Sequence, residues 1–246
     1  MNVRYISRTD LVVAGTGALS LTILLIDVKL TSVIPLYFNG LVFLGISIYW
    51  AIRGDATDIL KRSLIIGGIA GFLYTFVDSL FVDARITVYL RLEDIDVFKT
   101  PVSVVLVWIQ LITAMTYLYQ RLRSRFAEFY MPSTLTGVSA FLLGLVMNYL
   151  AYHARLWVWD VGVPPLSIGP VPLFVPAALF LTSFLSPYII GGQRASMMKD
   201  GRDSFWARFL KVPDNPIVGG IRYTVILTAT LYLLLLLFTR LSVYLM

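Results

Sequence analysis

Seven long apolar runs constrain this chain more than any other feature of its sequence. A helix that crosses a bilayer needs about 20 mostly apolar residues. Seven segments approach that length: 11–28, 31–52, 63–82, 101–120, 134–152, 170–190 and 221–245. The sequence therefore predicts an all-α, polytopic membrane protein of about seven transmembrane helices, with residues 1–246 forming a single transmembrane domain.

The composition agrees with this class and excludes several kinds of site. Of the residues, 58% are hydrophobic and 14% are charged, whereas a soluble domain has about 25% charged residues. The chain has no cysteine and one histidine, which excludes disulfides, zinc–thiolate sites, iron–sulfur clusters and bis-histidine haem. We predict no metal and no cofactor. The net charge of +6 is not gathered into basic clusters with interleaved aromatics, so we predict membrane lipids and no nucleic acid as partners.

Lysine and arginine predict the orientation of the spans. Of these 20 residues, 14 fall in the N-terminal segment and in alternate loops. The positive-inside rule then places the N-terminus in the cytoplasm and the C-terminus outside a cell membrane. Loops 83–100 and 153–169 are expected outside, and loop 191–220 is expected in the cytoplasm.

Residues 63–120 and 134–190 are two candidate repeat units. Each reads as a helix with a polar residue near its outer end, an aromatic–basic segment, a loop and a second helix. Three pairs of positions align: Asp78 with Asn148, Tyr89 with Trp159, and Pro101 with Pro170. A duplicated helix pair often places a site at the interface between its copies. The alternative is that any two helix–loop–helix units of a membrane protein look alike.

Asp78 is the leading candidate for chemistry, because ionisable groups are costly inside a bilayer. It lies about 15 residues into the third span, in YTFVDSLFVD. Burial disfavours the charged form of a carboxyl group, which suits a proton donor. The alternative is a structural role, in which Asp78 hydrogen-bonds to a neighbouring helix or lies among the lipid headgroups.

The stretch NYLAYHARLWVWDVGVPP, residues 148–165, supplies the other candidates. His153 can shuttle a proton, and either His153 or Asn148 can position water. Aromatic rings can stabilise a carbocation by cation–π attraction. Four residues of this stretch and Tyr89 of the first unit are candidate substrate contacts: Tyr89, Tyr152, Arg155, Trp157 and Trp159. The alternative is an aromatic belt at the membrane interface.

The same region resembles the integral membrane proteins of carotenoid biosynthesis, namely the carotenoid hydratases and the small membrane lycopene cyclases. The resemblance covers about residues 65–190, and these residues carry it: Leu156, Trp157, Trp159, Gly169, Pro170, Val171 and Pro172, with Val88, Tyr89 and Pro101 in the first unit. It implies acid-catalysed addition of water to a carbon–carbon double bond, or cyclisation. The paired glutamates that follow the proline entry in the cyclases are missing. Asn148 stands where the hydratases place a second acid.

Three functions remain open from the sequence. The first is a membrane enzyme in which Asp78 protonates a double bond of an isoprenoid lipid. The second is a non-catalytic subunit of a larger membrane complex, which the small number of polar residues in the spans favours. The third is a small-solute transporter, which the odd number of spans disfavours.

Overall fold

The computed structural model describes residues 6–30, 32–54, 57–91, 94–126, 130–160, 166–190 and 215–245. This part of the chain forms eight helices: α1 (Arg8–Leu30), α2 (Ile34–Arg53), α3 (Thr57–Asp83), α4 (Val102–Arg125), α5 (Tyr130–His153), α6 (Phe174–Phe184), α7 (Ser186–Ile190) and α8 (Pro216–Leu245). It also forms six short strands: β1 (Thr87–Tyr89), β2 (Asp96–Val97), β3 (Thr100–Pro101), β4 (Trp157–Trp159), β5 (Ser167–Ile168) and β6 (Val171–Pro172). The predicted all-α class is confirmed. Of the predicted loop 191–220, residues 191–214 lie outside the described residues.

Six helices are long and apolar enough to cross a membrane, namely α1, α2, α3, α4, α5 and α8. The chain is thus a multi-pass integral membrane protein, as predicted. The helices run past the predicted spans, and α3 begins at Thr57 instead of residue 63. A helix can continue through charged residues beyond its apolar span, which is why α3 is longer than predicted. Asp58, in the first turn of α3, stabilises the helix start because its negative charge lies near the positive end of the helix dipole.

The predicted helix over 170–190 is wrong as a single helix. Val171 and Pro172 form strand β6, and α6 begins only at Phe174. The helix then breaks at Leu185 and resumes as α7. Pro187 explains the break, because it has no N–H to donate to the carbonyl of Ser183.

The two ends of the helix bundle differ in chemistry. We call the end that carries the six strands the strand end. The opposite end, defined by Arg62, Arg121, Arg123 and Arg125, is the basic end. At the basic end, Asp10 of α1 accepts two hydrogen bonds of 2.6 Å from the Arg121 guanidinium. At the strand end, Asp27 of α1 pairs with Arg91 at 3.3 Å.

Helices α6 and α7 together connect the two ends. The loop before α6 lies at the strand end, where Leu173 N–H donates to the Leu166 carbonyl. Arg62, at the start of α3, donates to the carbonyl of Ile190, the last residue of α7. Helix α8 returns to the strand end, where Arg240 lines a surface groove with Asp160.

Close packing of α3 on α4 depends on two glycines, Gly67 and Gly71. A Cβ atom at Gly67 would lie 2.0 Å from Thr113 Oγ1, and one at Gly71 would lie 2.5 Å from Ile109 Cγ1. Any side chain at either position would therefore force the helices apart. Both glycines lie against α4, so the GxxxG spacing of the sequence is used for helix packing here.

A closed triangle of hydrogen bonds joins α1, α2 and α4 inside the bundle. Ser20 donates to the Asn39 carbonyl oxygen at 2.9 Å, Asn39 donates to Gln110 at 3.1 Å, and Gln110 donates back to Ser20. All three side chains are buried. Each therefore meets its hydrogen-bonding needs within the protein, as a nonpolar surrounding requires.

The two predicted outer loops contain paired strands. Strand β1 follows α3 and pairs antiparallel with β4, which follows α5. The register is symmetric about one central pair, with Val88 opposite Val158 and Tyr89 opposite Trp157. Each loop continues into a two-stranded hairpin, β2–β3 in one and β5–β6 in the other.

Candidate functional site

A cavity of about 30 Å³ lies between the α3–α4 and α5–α6 helix pairs, beneath strands β1 and β4. Its walls are mostly apolar, with a few polar groups among them. The lining residues are Asp78, Thr87, Tyr89, Val104, Val107, Trp108, Leu111, Gly144, Met147, Asn148, Trp157, Trp159 and Leu179. Five of the eight residues predicted from the sequence therefore meet here.

Asp78 contributes the carboxyl group of this cavity. It is 1% exposed. The Tyr89 hydroxyl donates to its Oδ2 at 2.5 Å, and the Thr100 hydroxyl donates to the same oxygen at 2.8 Å. Since both donors use Oδ2, the other oxygen, Oδ1, is the natural position for a proton.

A tight turn at the end of α3 brings Tyr89 back to Asp78. The Ile86 N–H donates to the Phe81 carbonyl, and Arg85 has a φ of 56°. This left-handed residue reverses the chain at the helix end, as in a Schellman motif. Strand β1 then runs beside the last turns of α3, so Tyr89 lies next to a residue eleven positions earlier.

Asp78 differs from Asp27, which is also buried, and from the partly buried Asp10 in having no cation beside it among the described residues. Asp27 pairs with Arg91, and Asp10 pairs with Arg121 and Arg125. In both cases the neighbouring guanidinium favours the charged form of the carboxyl group. A buried carboxyl group without such a partner favours its neutral form, which can donate a proton.

Asn148 takes the same place at the end of α5. The turn there repeats that of α3, with Arg155 at a φ of 54° and the Leu156 N–H donating to the Ala151 carbonyl. Asn148 Oδ1 accepts from the indole N–H groups of Trp157 at 3.1 Å and of Trp159 at 2.8 Å. Its Nδ2 donates to the Gly144 carbonyl at 2.8 Å. Asn148 thus fixes two rings of the cavity wall.

Aromatic side chains form much of that wall. Trp157 and Trp159 are joined by Tyr89 and by Trp108 of α4, whose ring lies 4.4 Å from that of Tyr74. Burial, together with the adjacent Asp78, raises the pKa of Tyr89 well above its ordinary value. The Tyr89 hydroxyl therefore stays protonated and remains a hydrogen-bond donor.

Three predicted site residues lie elsewhere. His153, Tyr152 and Arg155 are exposed and do not line the cavity. The His153 ring packs against Tyr149 and Tyr152, with ring centres 4.5 and 5.4 Å apart. This is the arrangement expected of an aromatic belt at the membrane interface.

Thr87, Thr100 and Trp108 belong to the site but do not stand out in the sequence. Thr87 is 2% exposed, and its Oγ1 has no hydrogen-bond partner within the described part of the chain. Its one available signal is the alternation in Thr87–Val88–Tyr89, which puts Thr87 and Tyr89 on the same face of a strand. Trp108 lies seven residues after Pro101, inside an apolar run that offers no reason to single it out.

The arrangement combines a buried acid, a wall of aromatic rings and space for a small group. Such a cavity can protonate an apolar ligand and stabilise the resulting cation through the ring faces. No family model, curated protein or solved structure matches the chain.

Proposed function

We propose that the protein is an integral membrane enzyme that protonates a carbon–carbon double bond of an isoprenoid lipid. The observation that carries the proposal is Asp78, a buried carboxyl group in an aromatic-lined cavity, with no cation partner in the part of the chain that the structure describes. A lipid substrate reaches such a cavity from the bilayer. The carotenoid hydratases and membrane lycopene cyclases, which the sequence resembles, act by the same kind of protonation.

In the proposed reaction Asp78 is the general acid. Its proton goes to the less substituted carbon of the double bond, and the positive charge develops on the tertiary carbon. Tyr89 and Thr100 donate to the carboxylate that remains, and hydrogen bonds to a charged acceptor strengthen as the charge forms. Trp108, Trp157 and Trp159 stabilise the cation. Addition of water or attack by a second double bond then completes the reaction.

Substrate entry requires the cavity to widen. About 30 Å³ holds one or two water molecules, which is less than the branched end of an isoprenoid needs. Met147 lines the cavity and is the most adaptable of its side chains, because it is unbranched and has three rotatable bonds. The narrow resting cavity also suits cation chemistry, since it keeps bulk water away.

Duplication of one helix pair accounts for the form of the site. The turns at Arg85 and Arg155 have the same hydrogen bonds, and Phe98 and Gly169 occupy the same left-handed position in the two hairpins. The cavity then lies at the interface between the copies. The predicted alignment of Pro101 with Pro170 changes by two residues when the strands are compared. Pro101 of β3 corresponds to Pro172 of β6, and Pro170 lies in the hairpin turn.

Seven crossings are also part of the proposal, with α6 and α7 together forming the sixth. In its support, the pair runs from Leu173 at the strand end to Ile190 beside Arg62 at the basic end. The positive-inside rule then puts the basic end and the N-terminus in the cytoplasm, and the strand end and the C-terminus outside.

The test is a comparison of isoprenoids in cells that make acyclic carotenoid precursors, with and without the protein. We expect wild type to yield a hydrated or cyclised product by mass spectrometry and Asp78→Asn to yield none, because the amide has no acidic proton to give. Asp83→Asn is the matched control, since Asp83 lies on the same helix but is 55% exposed. Unchanged isoprenoids with wild type would contradict the proposal, and constant co-purification of other membrane proteins would then favour the non-catalytic subunit.

A further inference from the structure

We infer that Thr87 holds the water molecule that adds to the cation, so that the reaction is a hydration. This inference rests on the proposed function and deepens it. Its basis is the Thr87 hydroxyl, which is buried and lacks a hydrogen-bond partner within the described residues, although its side chain lines the same cavity as Asp78. Nearly all buried hydroxyl groups have a partner in the protein or in ordered water.

The space beside Thr87 has the size that a bound water needs. A water molecule requires a cavity of at least about 10–15 Å³ and two or more polar partners. The cavity offers about 30 Å³. The Thr87 hydroxyl and the Asp78 carboxyl group supply the two partners. An apolar cavity of this size would stay dry, so a water molecule binds here because of these two polar groups.

The other candidates for holding water are unsuitable. Both acceptor positions of Asn148 Oδ1 are taken by Trp157 and Trp159, and its Nδ2 donates one N–H to Gly144, so Asn148 cannot accept a hydrogen bond from water. His153 is exposed and lies outside the cavity lining. Thr100 already donates its hydrogen to Asp78. Thr87 is the lining hydroxyl that remains uncommitted in the described part of the chain.

The second unit lacks this combination. Val88 and Val158 face each other at the centre of the β1–β4 pair and are equivalent positions of the two units. Thr87, the residue before Val88, therefore corresponds in the second unit to Trp157, the residue before Val158. Among the described residues that line the cavity, the acid and the unpartnered hydroxyl therefore both belong to the first unit. On the other side, Asn148 and the two tryptophans form a neutral, rigid wall.

The atoms balance without any further reactant. The proton of Asp78 and the π electrons of the double bond form a C–H bond, which leaves a tertiary cation and the Asp78 carboxylate. A lone pair of the Thr87-bound water forms the C–O bond. The resulting oxonium returns one proton to Asp78, which restores the acid. Water and alkene have then become a tertiary alcohol.

The experiment uses the purified full-length protein in lipid nanodiscs, with lycopene as the probe and D₂O as the solvent. Two products are measured: the tertiary alcohol, and alkene that has gained deuterium when the cation loses a proton instead of capturing water. We expect Thr87→Val to lower alcohol formation about tenfold, because a tenfold change in rate corresponds to about 1.4 kcal/mol, within the range of a single hydrogen bond. Deuterated alkene is expected to persist, and Thr87→Ser is expected to recover the alcohol.

Thr113→Val is the matched control. Thr113 is also fully buried, and its hydroxyl has no partner among the described residues, but it packs against Gly67 and does not line the cavity. Unchanged alcohol formation in Thr87→Val would overturn the inference and leave the proposed function standing. An equal loss of alcohol and deuterated alkene would also overturn it, because Thr87 would then affect protonation. If wild type forms neither product, the proposed function itself fails.

Discussion

Removal of Arg91 tests whether the strand end is held to α1 by a buried ion pair. Arg91 and Asp27 are 7% and 0% exposed, and Arg91 also donates to the Ala154 carbonyl beyond α5. In Arg91→Met the one partner left to the Asp27 carboxylate among the described residues is the Ser32 N–H, at 3.3 Å. An uncompensated buried charge costs about 3–5 kcal/mol. At about 2–4 °C per kcal/mol for a chain of this size, the melting temperature should fall by about 6–20 °C.

The assay is thermal unfolding of the purified protein in detergent, followed by the loss of the monodisperse species. Lys99→Met is the matched control, because the Lys99–Asp83 pair is 54% and 55% exposed and such a pair contributes about 0–1 kcal/mol. The double variant Asp27→Asn with Arg91→Met should recover most of the loss, since no charge remains buried. A fall no larger than that of Lys99→Met, or a double variant as unstable as Arg91→Met, would refute the reasoning.

Two further predictions concern packing and orientation. Gly67→Ala should lower the free energy of unfolding by about 1–3 kcal/mol, because its Cβ would lie 2.0 Å from Thr113 Oγ1. Gly68→Ala, whose Cβ would meet nothing within 4 Å, should be neutral or stabilise by up to about 1 kcal/mol; equal effects in thermal unfolding would contradict the packing argument. The chain has no cysteine, so a membrane-impermeant maleimide should label Asp160→Cys in intact cells and Ser124→Cys only after permeabilisation. Labelling in the reverse order would invert the proposed orientation.

Much of the fold could be predicted from the sequence because lipid imposes a simple rule. A spanning helix must be apolar over about 20 residues, and that requirement is visible in a single chain. The region around the site was also predictable, since Asp78 and Asn148 each lie near the end of such a helix with aromatic residues a fixed distance beyond. The helix break at Leu185 is also indicated by the Ser186–Pro187 dipeptide, but these residues lie inside a long apolar run that reads as one helix.

The remaining features depend on which helix faces which, and hydropathy does not contain that information. Ser20, Asn39 and Gln110 each stand alone in an apolar run, so their closed triangle is invisible until three helices are packed. That His153 lies outside the cavity lining is hidden for the same reason, because the rotation of α5 about its axis decides whether a residue faces the cavity or the surface. Thr87 was missed because a threonine in a strand is ordinary.

The two halves of the cavity differ at Asp78 and Asn148 and in the side chains that bond to these two residues. Asp78 beside Tyr89 and Thr100 gives an acid that is stabilised after it loses its proton. Asn148 beside Trp157 and Trp159 gives a neutral acceptor that two indoles saturate. A second carboxylate at position 148 would face the first across a cavity of about 30 Å³ with no cation between them, and like charges so placed resist ionising together. The amide at position 148 avoids this repulsion and leaves Asp78 as the one carboxyl group among the residues that line the cavity.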